Sequence, residues 1–360
     1  MKIAIYSPYL DTYGGGERYM MTIAEILSIQ NHNVDVCLNE HLDTFGGENL
    51  KSELSKRFDL DLTSVNFIKS PLGKGLNYFP RLNFLKKYDV LFYLTDGSIF
   101  IPSAKRNILH IQSPLPGQPV KSLWGRLKLK KWDLIIYNSQ FTKTHSEKNW
   151  PLVSEVIYPP IDVYKIKSLK KKNYILSVGR FFGYLKDKKQ ELLIKTFRSL
   201  CEKEKLAGWS LNLAGSAKKG DEPYLDELKK LAINLPVNFY PNVRYDDLIN
   251  LYGESSIYWH ASGFGEEDPT KMEHFGISTV EAMAAGCVPV VLGKGGQVEI
   301  VEDSKSGYLW NNPDQLKKIT LQLINNKGLM EGLSKQAVKR AKEFDKKKFE
   351  HAIMKILKSK

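Results

Sequence analysis

The sequence predicts an α/β protein built from two Rossmann-like parallel sheets. Apolar strand-like runs alternate with amphipathic helical stretches along both halves of the chain. The alternation breaks at "YPPIDVYKIKSLKKKN" (158–173), where two prolines and a lysine run read as a linker. It restarts at "YILSVGR", and 360 residues suffice for two domains of ordinary size. Ligands in open sheets of this kind bind at the carboxyl ends of the strands, so two such sheets facing each other would enclose a cleft.

The first half opens with the strand "KIAIYSPY" and a loop, "DTYGGGE", that carries Gly14, Gly15 and Gly16. Arg18 to Gln30 reads as a helix with Tyr19, Ile23, Ile26 and Leu27 on one face. Strands follow at "NVDVCL", "VLFYL", "NILHI" and "LIIYN", and Ser139 caps a helix beginning "SQFTKTH". In the second half, strands at "YILSVGR", "WSLNLAGS", "VNFYP", "SIYWHAS" and "VPVVL" alternate with helices at "KQELLIKTFRSL", "YLDELKKLAINL" and "YDDLINLYGES", and with a loop and helix between "SIYWHAS" and "VPVVL". The tail is helical and basic, with Phe344, Phe349 and Ile353 available to dock on a neighbouring domain.

Composition narrows the class. Hydrophobic residues are 42% and charged residues 26%, an ordinary globular balance. Cys37, Cys201 and Cys287 are isolated, with no CxxC, so neither a disulfide framework nor a zinc site is expected and a reducing compartment is the simple reading. The N-terminus meets Asp11 too soon for a signal peptide, and no apolar run reaches the ~18 residues that span a bilayer. The expectation is a cytoplasmic protein, free or attached to the cytoplasmic membrane face. The net charge of +13 concentrates in 121–132 and 165–173. Such clusters suit a solvated surface, an anionic membrane or nucleic acid. Val120, Leu123, Trp124 and Leu127 share one helical face beside lysines, which fits either a membrane-surface helix or a core-facing one. No RNA- or DNA-binding motif occurs, so nucleic acid is not the expected partner.

The most informative stretch is "EHFGISTVEAMAAGCVPVV" (273–291). On one continuous helix Glu273 and Glu281 would stand about 80° and roughly 12 Å apart, too far to work as a pair. A helix beginning inside the segment fits better. Ser278 is a candidate N-cap, Ser278-Thr279-Val280-Glu281 matches a capping box, and Gly286 ends the helix. Glu281 then either caps or accepts hydrogen bonds from a ribose diol. The amides of Gly276, Ile277 and Ser278 would lie at a helix N-terminus, a site suited to phosphate. Glu273, on the loop before, would accept from a sugar hydroxyl. A phosphate between two diol binders describes a nucleotide-sugar.

At this point the sequence resembles the retaining glycosyltransferases of family 4. The likeness rests on "EHFGISTVE" followed by "AMAAGCVPVV" and "GGQVEIV". It extends to "GGGER", "NSQFTK", "VIYPPIDV", "ILSVGR" and "LAGS", in the family's order over nearly the whole chain. The resemblance implies the GT-B arrangement, two Rossmann-like domains facing across a cleft. Residues 1–164 would form the acceptor-side domain and 165–340 the nucleotide-sugar domain, with a C-terminal helix of about 341–360 crossing back to the first. It implies a diphosphate-binding Arg180 and a partner lysine, Lys188, for which Lys186 and Lys189 are rivals because the loop "FFGYLKDKKQ" is long. It implies that His110 touches the donor sugar, that Gly15 and Gly16 let substrates approach the backbone, and that Phe275, Gly276, Ile277, Ser278 and Glu281 bind the donor. Glu273 would orient the sugar. His260 and His145 read as structural.

These residues would move a hexose from a GDP- or UDP-sugar to a hydroxyl of a glycan or lipid-linked saccharide. Arg180, Lys188 and the 276–278 amides would stabilise the departing diphosphate, so no metal or other cofactor is required. His274 stands where proline is commoner, a variant shared with a mannosyltransferase of lipid-linked oligosaccharide assembly, which points to GDP-mannose. Segment 121–132 would hold the enzyme on an anionic membrane. Two rivals are a nicotinamide oxidoreductase, which lacks GxGxxG and its acidic partner, and a basic non-catalytic nucleic-acid binder.

Overall fold

The computed structural model describes all residues except 74–77, 118–121, 205, 207 and 359–360. The chain divides into two compact units, Met1–Pro160 with Lys347–Lys360, and Ile161–Lys346. The division falls after Pro160 rather than after 164.

The first unit holds a seven-stranded sheet: β1 Lys2–Tyr6, β2 Asn33–Leu38, β3 Asn66–Lys69, β4 Val90–Leu94, β5 Arg106–Ile111, β6 Leu134–Tyr137 and β7 Ser154–Val156. The spatial order is β3-β2-β1-β4-β5-β6-β7, and every pairing between these strands is parallel. Each strand alternates its side chains between two covered faces. Ile3 and Ile5 join one buried cluster, while Ala4 and Tyr6 join another on the opposite face. The C-terminal helix Lys346–Lys358 places Phe349, Ile353 and Ile356 in the first cluster. Phe344 does not go with them. It packs edge-on against Phe275 at 5.5 Å within the second unit, because the chain turns at 342–345 and separates the two faces.

The second unit holds six strands: β8 Lys172–Val178, β9 Ser210–Gly215, β10 Val237–Pro241, β11 Ser255–His260, β12 Val288–Leu292 and β13 Tyr308–Trp310. Their order, β10-β9-β8-β11-β12-β13, is again doubly wound, and the direction of strand addition reverses between β8 and β11. The strands β3, β7 and β13 were not expected from sequence. Each is only three or four residues long and lies at the edge of its sheet, too short for a periodic signal.

The basic stretch 165–173 is not a free linker. Ile161, Val163 and Ile166 are buried, and Lys171 Nζ donates to the carbonyl oxygens of Ser255 and Ala285, each at 2.7 Å. Burial pulls the Lys171 ammonium below its ordinary value. The other basic cluster resolves the opposite way. In the helix Leu123–Leu129, Leu123, Trp124 and Leu127 are 74%, 69% and 44% exposed, whereas Leu129 is buried. The core-facing reading of that stripe therefore fails. Val120 and Lys121 lie outside the described residues.

Candidate functional site

The carboxyl ends of β8 and β11, at the strand-order reversal of the second unit, gather most of the chemistry. After β8 the chain passes through Gly179 and Arg180. A Cβ on Gly215, at the end of β9, would lie 2.0 Å from the Gly179 carbonyl oxygen. A Cβ on Gly179 would lie 2.7 Å from Cγ of Lys188. These two glycines let adjacent strand ends meet and make room for the Lys188 stem. The loop from 181 to 189 returns Lys188 to this point, with Lys186 (φ 46°) and Lys189 (φ 54°) in the left-handed region on either side.

The rival lysines are thereby separated. Lys186 pairs with Glu191 and Glu227 at 3.1 and 2.8 Å, and Lys189 with Glu266 at 2.7 Å. Only Lys188 reaches Glu273, at 2.7 Å. Its ammonium is held above its ordinary value: burial works against the charge, and the carboxylates of Glu273 and Asp187 outweigh burial. The Glu273 carboxyl is held well below the usual range. Burial opposes this, and the Lys188 charge and the His260 hydrogen bond overcome it. Arg180 is 59% exposed, 4.0 Å from Asp187, with its guanidinium over the Phe182 ring.

His260 was read from sequence as structural, but its Nε2 lies 3.0 Å from Glu273 Oε2. Alternation along β11 explains the placement. Ile257 and Trp259 enter the hydrophobic core, so Tyr258 and His260 point to the other face, where Tyr258 Oη donates to Ser278 Oγ at 2.8 Å. The apolar–polar alternation of "IYWH" carried that signal.

The helix after Glu273 starts earlier than the capping-box reading expected. It spans Ile277–Ala284 with Gly276 as N-cap, and Ser278 lies inside the first turn. Gly276 adopts φ 121°, ψ 59°, a conformation open to glycine, so the chain turns there rather than at Ser278. Glu281 does not close a capping box. It is buried, and its Oε2 accepts from Tyr252 Oη at 3.0 Å. Gly286 ends the helix at φ 79°, with Cys287 N donating to the Ala282 carbonyl oxygen at 2.9 Å. First-turn amides such as those of Ile277 and Ser278 have no intrahelical acceptor, and the helix dipole adds positive potential there. Phe275 is buried. The motif "GGQVEIV" lies directly against this segment. Gly296 N donates to the Glu273 carbonyl oxygen at 2.7 Å, and a Cβ on Gly295 would lie 2.3 Å from the same oxygen.

The first unit places its expected residues differently. Gly15 and Gly16 lie in the first turn of the helix Gly15–Ile29 rather than in a loop, and a Cβ on Gly16 would collide with the Gln112 side chain. His110 is fully buried. Its Nδ1 lies 3.1 Å from the Ile136 carbonyl oxygen, and its ring stacks on Tyr19 at 4.0 Å. Burial lowers its pKa to about 3. The other ring nitrogen, Nε2, is buried without a hydrogen-bond partner among the described residues, and the side chain shares a sheet face with Ile108 beneath the helix Gly15–Ile29.

Residues 162–344 match the family model described as glycosyl transferases group 1. Over 201 residues the chain is 31% identical to the Xenopus laevis "GDP-Man:Man(3)GlcNAc(2)-PP-Dol alpha-1,2-mannosyltransferase", covering 51% of this chain and 39% of that protein. The chain thus spans about two-fifths of that relative's length. Among solved structures, a glycosyltransferase from Rickettsia africae superposes with a TM-score of 0.75 at 20% identity, covering 100% of this chain and 99% of that one. Anabaena HepE in complex with UDP and glucose gives 0.71 at 20%, covering 100% of both.

Proposed function

The chain belongs to the group 1 glycosyl transferases, and from that premise we propose that it transfers a hexose from a nucleoside-diphosphate sugar, with retention, to a hydroxyl of a glycan or lipid-linked saccharide. The observation that carries this reading is the pairing of Lys188 with Glu273 at 2.7 Å beside Arg180. The Xenopus laevis relative is a GDP-Man-dependent mannosyltransferase by name, which favours that donor.

In this reading Arg180 and Lys188 meet the diphosphate, and the start of the helix Ile277–Ala284 adds its amides. Glu281 accepts from the ribose, and Glu273 orients the sugar. The bond between the anomeric carbon and the diphosphate oxygen breaks, and a bond to the acceptor oxygen forms on the same face. The acceptor's proton passes to the departing phosphate, so the reading needs no protein base. Negative charge grows on the leaving group, and cations fixed beside it favour the transition state more than the ground state. No metal is needed in this scheme.

The exposed stripe of Leu123, Trp124 and Leu127, with Arg126 and Lys128 on the same helix, supports peripheral contact with an anionic membrane, where a lipid-linked acceptor resides. Among the described residues no helix is long and apolar enough to cross a membrane.

The test is donor turnover over a panel of GDP-, UDP- and ADP-hexoses, with the anomeric configuration of the product read by NMR. GDP-mannose turnover with retention is expected. No turnover of any donor, or an inverted product, would overturn the reading.

A further inference from the structure

We propose that His260 is a positioning residue for Glu273: it holds one carboxylate oxygen so that the other stays presented to the sugar when Lys188 turns to the diphosphate. The inference rests on the donor-site reading above.

The geometry is specific. Lys188 Nζ, at 2.7 Å, and His260 Nε2, at 3.0 Å, both contact the same oxygen, Oε2 of Glu273. A carboxylate only accepts, so Nε2 carries the proton in this bond. Oε1 has no hydrogen-bond partner among the described residues, and the Glu273 side chain keeps 19% of its surface exposed. Two donors therefore pin Oε2 and leave Oε1 for a ligand.

His260 does little else. It is 3% exposed, and its other nitrogen, Nδ1, is buried without a hydrogen-bond partner among the described residues. Burying an unpaired ring nitrogen is unfavourable, so an apolar ring of similar shape would serve packing better. Such a ring would lack the Nε2–H on Glu273.

Turnover gives that bond a purpose. An ammonium has three donors, and a diphosphate carries more charge than one carboxylate, so donor binding draws Lys188 away from Oε2. The backbone of Glu273 is held separately, by Gly296 N on its carbonyl oxygen. Nothing in that backbone contact fixes the carboxylate's rotation. The His260 bond does, and it keeps the carboxylate ionised while Lys188 is shared.

The test compares H260F, H260Q and H260N. Glutamine can place its amide N–H near the position of Nε2, and asparagine near that of Nδ1. H260F should lower kcat by about 10²-fold, the scale of a misplaced reacting group. Donor KM, and the affinity for GDP and UDP by calorimetry, should stay within about twofold, since Arg180 and Lys188 are untouched. H260Q should recover most of kcat and H260N should not. Wild-type kcat in H260F would overturn the inference, and so would equal kcat in H260Q and H260N, a comparison that holds even if H260F fails to fold. Absence of turnover in the wild-type protein would sink the donor-site reading itself.

Discussion

Replacing Glu273 by glutamine keeps the size of the side chain and removes the charge that Lys188 faces. At 2.7 Å and an effective dielectric constant of about 20, the gross attraction is about 6 kcal/mol. Taking the two ions out of water offsets several kcal/mol of that. Both side chains keep about a fifth of their surface (21% and 19%), so water still screens the pair and a net coupling of about 1–3 kcal/mol remains. Glu273→Gln and Lys188→Met should each destabilise the protein, and the double substitution should cost less than their sum by that coupling. For a unit of this size each kcal/mol moves the melting temperature by about 2–4 °C. Thermal melts of the four proteins measure the cycle. The pH dependence gives a second check. The Glu273 carboxyl is depressed in the folded protein, so its contribution is present above the unfolded value of about 4.3 and fades as pH falls through the lower folded value. The gap between wild type and Glu273→Gln should thus be full at neutral pH and shrink below about pH 4. Additive substitutions, or a gap unchanged down to pH 3, would refute the pairing argument. Donor turnover by Glu273→Gln should fall by about 10²-fold or more, because the sugar loses its ionised acceptor.

Gly215→Ala would drive a Cβ to 2.0 Å from the Gly179 carbonyl oxygen. Backbone on both sides cannot yield cheaply, so a loss of about 3 kcal/mol in thermal or urea unfolding is expected. Gly276→Ala places a side chain at φ 121° and 2.5 Å from Gln297 Nε2, which should cost about 1–3 kcal/mol and weaken GDP and UDP binding measured by calorimetry. Leu123→Asp with Trp124→Asp should abolish flotation with vesicles containing anionic lipid and leave the melting temperature unchanged, since both side chains are largely exposed. Retained flotation would remove the membrane contact from the reading.

Parts of the candidate site are legible in the sequence, for reasons that differ by residue. Gly286 and Ser139 work within a few residues of themselves: Gly286 ends one helix as expected, and Ser139 begins another, its Oγ accepting from Thr142 N at 3.0 Å. Ser278 failed as an N-cap because cap chemistry is common to many serines, whereas φ 121° at Gly276 is a demand that a string of letters does not display. Lys188 could be narrowed to three lysines. The choice among them depends on Glu227, Glu266 and Glu273, which lie 41, 77 and 85 residues from their partners. His260 was set aside because a lone strand-end histidine is ordinary, and its significance depends on a glutamate 13 residues away across a loop.

Local order followed from the sequence alone: the alternation of strands and helices, the restart near residue 160, and the small-residue stretches that mark strand ends. Those signals act over a turn of helix or a pair of strand positions, so the chain states them directly. The direction of each buried polar group was settled by tertiary packing. The period-two twist of β5 turned His110 under Tyr19, and the same period in β11 turned His260 toward Glu273. Packing also separated the two lysine clusters, folding Lys171 onto the Ser255 and Ala285 carbonyls while leaving Leu123 and Trp124 in solvent. Charge and hydropathy are properties of single residues. Whether they face a core, a carboxylate or water depends on what distant segments bring beside them.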